Sequence, residues 1–551
     1  MNRVRHHERP RWPGWFMLAK TDARTARSDR VGYTPWPLGW NWPILFALTI
    51  GGFSLILGAT RPGIGIQADS VAYIQSARAL ASGRGFGASL MVWPPFYSMV
   101  LALPIAAGVE ALAAARYLGA ILFGCNVALL ASIVQRCLRG GFWPVLFAGL
   151  LALTSTDMLM IHSHALSEPL FLFCTLGGLI YIAEGLAADS LLRVLLGSCF
   201  WGLAWATRYA GVATIAAGFL VLLIAPGRPF SRRLQAIVIY GCGTCLPILL
   251  WFARNIVNNP ARGIGVGREL AWHPMGPEHM GRLWASISAW FLPASSPAGL
   301  QNVVLPLLLL AIAGGSWWVL GRGRSVRPVF LDRRGQFLQG LSAWMVVFYM
   351  GLLVITIVFV DARVSFERRL LTLFFVLLVP LATVHAARIY RNASLWGRIV
   401  VGAACIFLVG FESVRAAAWY HVWSRDGQGY ASRSWKQSPL LASLKAIAQQ
   451  RPVWSNAPAA IASLTDRPAM GLPREYDAFT AAANAGLAGE IDQMRRSVQA
   501  GGILVWFSKV GTGDIYLPLA GLRQQIPLRC IATEEDGQIF QSATAGGVTQ
   551  P

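Results

Sequence analysis

The stretch ADSVAYIQSARALASGRGF, residues 68–86, follows the first hydrophobic run of the chain and decides how the rest is read. It opens with Asp69, carries Tyr73 one helical turn later, and leads through Arg84 to WPPFY at 93–97. Carboxylates are scarce, with 25 Asp and Glu against 47 Lys and Arg, so an acid at the water end of an apolar run needs a reason. One reason is local: an Asp just before a helix can accept backbone N–H bonds as an N-cap. The other is chemical: a carboxylate held at that edge can take a proton as a general base. The two are compatible, because a cap also holds a carboxylate rigid.

Working outward, 55% of the 551 residues are apolar and 13% are charged. That is about half the charged share of soluble proteins and points to a polytopic membrane protein. A span needs about 20 apolar residues. Runs of that kind lie near 42–60, 116–135, 142–161, 168–185, 193–207, 211–226, 234–253, 302–320, 337–359, 370–387 and 398–415, about eleven in all. The segment 95–112 is apolar but interrupted by Pro104 and Gly108, and is expected to lie at the interface.

The net charge of +22 raises nucleic acid as a partner, but the basic residues sit in short clusters between apolar runs and not along one face. That distribution is the one expected of cytoplasmic loops, so the lipid bilayer is the partner and nucleic acid is not. Seven Arg residues precede the first run and no small-residue cleavage pattern follows it. Residues 1–41 therefore read as a basic cytoplasmic segment ahead of a retained anchor. With that end inside, QRCLRGG (135–141), PGRPFSRR (226–233) and RIYRNASLWGR (388–398) fall on the inner side. The outward loops, chiefly 61–115 and 254–301, carry Asp69, His162, His164, Glu168, Glu269, His273, Glu278, His279, Asp361 and Glu367.

An odd number of spans places residues 416–551 outside. There SPLLASLKAIAQQ has helical spacing, GILVWFS (502–508) reads as a buried strand, and RCIATEEDGQIFQ as a hairpin turning at Asp536-Gly537. A small extracytoplasmic α/β domain is expected. Most of the eight cysteines lie inside apolar runs, and the Cys242/Cys245 pair has no second pair to complete a metal site.

The second acid is Glu168, in HSHALSEPLFLF (162–173). A carboxylate at the edge of hydrocarbon is costly unless it faces the protein interior, which favours a functional role. Arg208 in ATRYAG, Arg254 in WFARNIVNNP, and Arg363, Arg368 and Arg369 in DARVSFERRLL lie at outward ends of spans, against the charge trend. Guanidinium groups can hold a phosphate bidentately. Arg208, Arg254 and Arg368 are the expected phosphate ligands, in that order, whereas Arg363 and Arg369 read better as partners of a nearby acid or a lipid headgroup. His162 and His164, two residues apart, are a weak metal signal; no metal centre is expected and no cofactor is evident.

These residues together resemble the GT-C superfamily of membrane glycosyltransferases, in the bacterial branch of aminoarabinose transferases and dolichyl-phosphate-mannose protein mannosyltransferase-like proteins. The resemblance covers roughly residues 40–415. It rests on ADSVAYIQSARAL after the first span, WPPFY, SEP between spans three and four, TRYAG between five and six, and WFARN closing span seven. It implies an all-α polytopic GT-C fold in a bacterial inner membrane. It also implies transfer of a sugar from a polyprenyl-phosphate donor to an extracytoplasmic acceptor (lipid, polysaccharide or protein), usually with inversion. Asp69 matches the family's catalytic acid and Glu168 a second acid near it. Tyr73, Tyr97, His164, Tyr209 and Asn255 are then the expected sugar and acceptor pocket, although interfacial aromatics are more often anchors. Two departures matter: Trp93 stands where aminoarabinose transferases have the Lys of Lys-Pro-Pro, and Thr207-Arg208-Tyr209 replaces their Thr-Lys-Gly. The donor sugar is therefore not implied.

Two other classes also want charge beside a lipid headgroup. A flippase or transporter of lipid-linked sugars would show internal repeats with paired broken helices, and none is evident. An O-antigen-ligase-like transferase using a polyprenyl pyrophosphate donor would use the loop 255–300, with Arg262, Arg268, His273 and His279.

Overall fold

The computed structural model describes residues 41–86, 93–138, 141–225, 229–258, 270–293, 296–297, 299–307, 310, 314, 331–477, 479–511 and 515–543. The basic segment expected over 1–41 lies outside the described residues except for Asn41, as do most of the run 302–320 and Arg262, Arg268 and Glu269.

The described residues ahead of the outer domain are mostly helical. Among the described residues seven helices are long and apolar enough to cross a bilayer: Trp42–Ala59, Ala111–Cys137, Glu168–Ala188, Phe230–Asn258, Arg333–Val360, Arg368–Asn392 and Leu395–Asp426. The expected span 142–161 is in fact two helices, Phe142–Thr154 and Thr156–His162, bent by 56°. The break falls at Ser155, which leaves the helical region and offers its Oγ to the Met158 amide at 3.4 Å, starting the second helix afresh. Counting that pair gives eight. The expected spans at 193–207 and 211–226 are the shorter apolar helices Leu191–Thr207 and Val212–Ile224, joined by one tight turn at Tyr209–Gly211. The segment expected at the interface is the short helix Phe96–Ala106, ending before Gly108 at φ +89°.

The innermost helices are Ala111–Cys137 and Glu168–Ala188, whose side chains are buried on nearly every face. Helix Trp42–Ala59 packs closely on the first of these because Gly52 and Gly124 meet: a Cβ on Gly52 would lie 3.0 Å from the Gly124 Cα. Small residues permit this where lipid supplies no hydrophobic drive between helices. The outer helix Leu395–Asp426 instead leaves Ile406 76% and Phe407 70% exposed in mid-span, an apolar face suited to acyl chains. This helix also runs straight past the boundary expected at 415, and the outer domain begins after Gly427, whose φ of +71° ends the helix.

The C-terminal domain is a five-stranded sheet in the order β2-β1-β3-β5-β4. The strands are β1 (Val453–Ser455), β2 (Ala469–Gly471), β3 (Ile503–Phe507), β4 (Leu528–Glu534) and β5 (Gly537–Ser542). β1 pairs in parallel with β2 and β3, while β5 runs antiparallel to β3 and β4. Helices Pro439–Ala446 and Pro458–Thr465 cover one face, and Leu487–Gln499 and Leu519–Gln525 the other. The expected hairpin at Asp536-Gly537 and the buried strand at 503–507 are both present.

This domain sits on the end of the helical bundle that carries Asp69. The Tyr430 amide donates to the Ile66 carbonyl at 2.9 Å, Lys436 Nζ to the Pro62 carbonyl at 2.6 Å, and the Ala362 amide to the Phe479 carbonyl at 2.9 Å. The opposite end gathers Arg-bearing turns, with Arg136 paired to Glu184 at 2.9 Å and Cys137 packed against Gly335.

Candidate active site

Helix Ala68–Ala81 is started by Gln67 and not by Asp69: the Gln67 amide donates to Ser70 Oγ at 3.0 Å. Asp69 lies in the first turn and its carboxylate is free to face another element. The preceding loop is laid against residues 163–165, with the Gly65 amide donating to the Ser163 carbonyl and the Ala165 amide to the Gly65 carbonyl, each at 2.9 Å. Only glycine fits there, because a Cβ on Gly65 would come within 2.5 Å of the His164 ring. That contact brings two loops distant in sequence together, and with them the two acids.

Glu168 is the first residue of its helix and is 4% exposed. Arg369 joins the pair: its Nε donates to Glu168 Oε1 and its other arm to Asp69 Oδ2 at 2.9 Å. Arg208 approaches Glu168 Oε1 at 2.9 Å from a third direction and also donates to Ser167 Oγ at 3.3 Å. Glu168 Oε2 is buried and makes no hydrogen bond to the described residues. A small cleft of about 10 Å³, room for roughly one water, lies at this cluster, lined by Glu168, Arg208, Arg369 and Tyr349 with Phe171 and Leu172. The geometry is two carboxylates held apart by one guanidinium, with a second guanidinium at the rim. Such a site offers a proton acceptor beside cationic charge, and 24% exposure of its side chain leaves Asp69 the more accessible acid.

Tyr73 packs behind the acids, its hydroxyl 3.0 Å from Ser167 Oγ and its carbonyl accepting from Ser98 Oγ at 3.1 Å. Burial pushes its phenol up to about 12, so it stays protonated and polar at neutral pH. Tyr97 meets its ring edge-on at 5.2 Å and is itself fully buried, making it a wall of the Tyr73 site. The Trp93 ring lies 6.0 Å from that of Tyr73.

The remaining expected residues divide. Arg254, Tyr209 and Asn255 form a neighbouring group. The Arg254 guanidinium lies 5.1 Å over both Phe86 and Trp251, donates to Asn255 Oδ1 at 2.9 Å and to the Phe86 carbonyl at 3.3 Å. Trp251 in turn donates to the Tyr209 hydroxyl at 3.4 Å. Asn255 is thus spent on fixing Arg254. His164 gives Nδ1 to the Met160 carbonyl at 2.8 Å and His162 gives Nδ1 to the Met158 carbonyl at 2.7 Å. His162 Nε2 also lies 3.0 Å from Asn126 Nδ2. Both histidines support the loop under Glu168, and neither lines the cleft at the acids. Among the described residues no group of three or more His, Cys, Asp or Glu side chains is placed to hold a metal.

Arg368 is not at the acids. It pairs with Asp157 and donates to Thr156 Oγ1 at 2.8 Å on the broken helix. Successive residues on a helix point about 100° apart, so at most one of the two arginines could face the carboxylates, and that one is Arg369. Arg369 does partner acids, as its sequence context suggests, but two of them at once and at the centre of the cluster. Asp157, Ser167 and Tyr349 have no counterpart among the expected residues, since an Asp inside an apolar run and a Tyr in mid-span give no signal until their neighbours are known.

No protein-family model and no curated protein matches the sequence. By structure, the chain is similar to ArnT from Cupriavidus metallidurans. The crystal structure bound to undecaprenyl phosphate aligns with a TM-score of 0.54 at 14% identity, over 92% of this chain and 99% of that one. The apo structure of the same protein aligns at 0.55 and 12% identity, with the same coverage. The alignments span both the helical bundle and the outer domain, so the fold of this chain is that of the two ArnT structures.

Proposed function

We propose that the protein is a membrane glycosyltransferase that takes a sugar from a polyprenyl monophosphate carrier. The observation that carries this reading is the Asp69–Arg369–Glu168–Arg208 cluster at one end of a helical bundle, in a fold shared with a protein solved with undecaprenyl phosphate bound. Asp69 is the general base. The acceptor hydroxyl attacks the anomeric carbon, the new C–O bond forms as the bond from that carbon to the phosphate oxygen breaks, and the proton passes to the Asp69 carboxylate. Attack from the face opposite the phosphate inverts the centre. The leaving polyprenyl monophosphate gains charge, which Arg208 at the cleft and Arg254 in its aromatic frame meet without reorganising. Glu168 holds Arg208 and Arg369 in register and turns its second oxygen to the sugar. The basic first segment lies in the cytoplasm and the sheet domain outside, placing the site where lipid-linked sugars and extracytoplasmic acceptors meet.

The test is mass spectrometry of lipids that copurify with Asp69→Asn protein in mild detergent, alongside transfer assays of Asp69→Asn and Glu168→Gln. A retained polyprenyl monophosphate sugar, with transfer lost in both variants, is expected. Unchanged transfer in both folded variants would sink this reading, and a retained pyrophosphate-linked glycan would move it to the ligase class.

A further inference from the structure

Arg368 and Arg369 are neighbours with different partners, and the partners of the first constrain the second. Arg368 is tied to Asp157, whose side chain is 2% exposed and whose Oδ2 also accepts from Trp290 Nε1 at 2.9 Å. Thr156 Oγ1, beside Asp157, accepts from Arg368 at 2.8 Å and from Arg415 at 3.3 Å, and Arg415 pairs with Glu412 at 2.6 Å. The turn that leads into the two arginines is gripped again from the outward loop: Arg282 donates to Ser365 Oγ at 3.0 Å and Ser286 Oγ to the Phe366 carbonyl at 2.7 Å. Helix Pro277–Ser288, the broken helix Thr156–His162 and helix Leu395–Asp426 thus converge on the first turn of helix Arg368–Asn392.

This ion cluster makes no hydrogen bond or ion pair among those described to Asp69 or Glu168. Its position has a geometric consequence. Arg369 must reach two carboxylates on two other helices at once, and a rotation of the first turn by a few tens of degrees would lose one of them. Fixing Arg368 fixes that rotation. We infer that Asp157, acting through Arg368 and itself held by Trp290, is a positioning residue that sets Arg369 between the two site carboxylates. The inference rests on the proposed transferase reading for its effect on catalysis, but the coupling itself exists in the ligand-free protein. A buried ion pair is a poor source of net stability and a good source of fixed orientation, so its retention beside the site is better explained by geometry than by energy.

The experiment is a double-mutant cycle on the full-length protein in detergent, pairing Asp157→Asn with Arg369→Lys, with Asp157→Glu and Trp290→Phe as milder probes. Asp157→Asn is expected to lower kcat for sugar transfer at least tenfold with KM changed less than threefold, and Asp157→Glu to recover most of it. In the Arg369→Lys background, where the fork that needs orienting is gone, Asp157→Asn should cost less than twofold. Trp290→Phe should show the same pattern, about threefold in wild type and nothing in Arg369→Lys, and it serves if Asp157→Asn does not fold. Melting temperatures read the same cycle without any transfer activity: the two shifts should sum to clearly more than the shift of the double variant. Additive losses in both rate and melting temperature would overturn the inference while leaving the transferase reading intact. If the transferase reading fails, through unchanged transfer in Asp69→Asn and Glu168→Gln, the melting cycle alone decides.

Discussion

At the residue scale the site depends on Arg369 more than on any other side chain. Among the described residues it alone pairs with both acids, and its removal would leave Glu168 buried with only Arg208 beside it. Breaking a buried pair by deleting one partner typically costs about 3–5 kcal/mol. Arg369→Ala is therefore expected to lower the melting temperature sharply and abolish transfer, whereas Arg208→Lys should fold normally and lose transfer through weaker phosphate binding. Thermal unfolding and a transfer assay on both variants separate the two, and an Arg369→Ala protein as stable as wild type would contradict a central role for this guanidinium. His164 makes a second prediction. Burial first, and then the charge of Arg369, hold its imidazole below the usual value, against the Met160 carbonyl that favours protonation. The unfolded chain takes up a proton near pH 6.5 that the native chain refuses. Stability from this group is therefore complete above pH 6.5 and falls as the pH drops below it. His164→Gln should flatten the melting temperature profile between pH 6.5 and 5, and an unchanged slope would place the titration elsewhere.

At the scale of elements, the helices are legible in the sequence because each is a long apolar run, and two irregularities are not. The break at Ser155 has no Pro or Gly to announce it; it is made by a side-chain cap inside an otherwise apolar stretch. The apolar run of the last helix stops near 415, where Glu412 and Arg415 interrupt it, yet the helix continues to Asp426, the two being paired at 2.6 Å and largely buried against neighbouring helices. The start of helix Ala68–Ala81 shows the same limit. Asp69 and Ser70 are both good capping types, and only the observed bond from the Gln67 amide to Ser70 Oγ releases Asp69 for the site. The closeness of Asp69 and Glu168 follows from Gly65, which a single sequence marks no more than any other glycine. Gly65→Val would push the His164 ring and part the two loops. The expected outcome is a loss of transfer of a hundredfold or more with a melting shift of a few degrees, because the substitution parts two loops and leaves the helices themselves intact. A large melting shift with transfer retained would contradict it.

At the scale of the whole molecule, charge and burial assign the two ends. One end gathers Asp69, Glu168 and the sheet domain; the other gathers Arg136 and Arg193 around Glu184. A sequence with a +22 balance concentrated in alternate loops fixes which end faces the cytoplasm only through the positive-inside trend. The cysteines allow a direct measurement. Cys530 is exposed on β4 of the sheet domain, whereas Cys137, at the opposite end, is buried. Cys242 and Cys245 are exposed too, but lie in the middle of helix Phe230–Asn258, where lipid would surround them. A membrane-impermeant maleimide added to intact spheroplasts should label the protein, and Cys530→Ser should remove that label. Labelling that appears only after the membrane is opened would put the sheet domain and the acids in the cytoplasm together. The donor would then be presented from the inner leaflet, and the argument for an extracytoplasmic acceptor would fall while the chemistry at Asp69 stood.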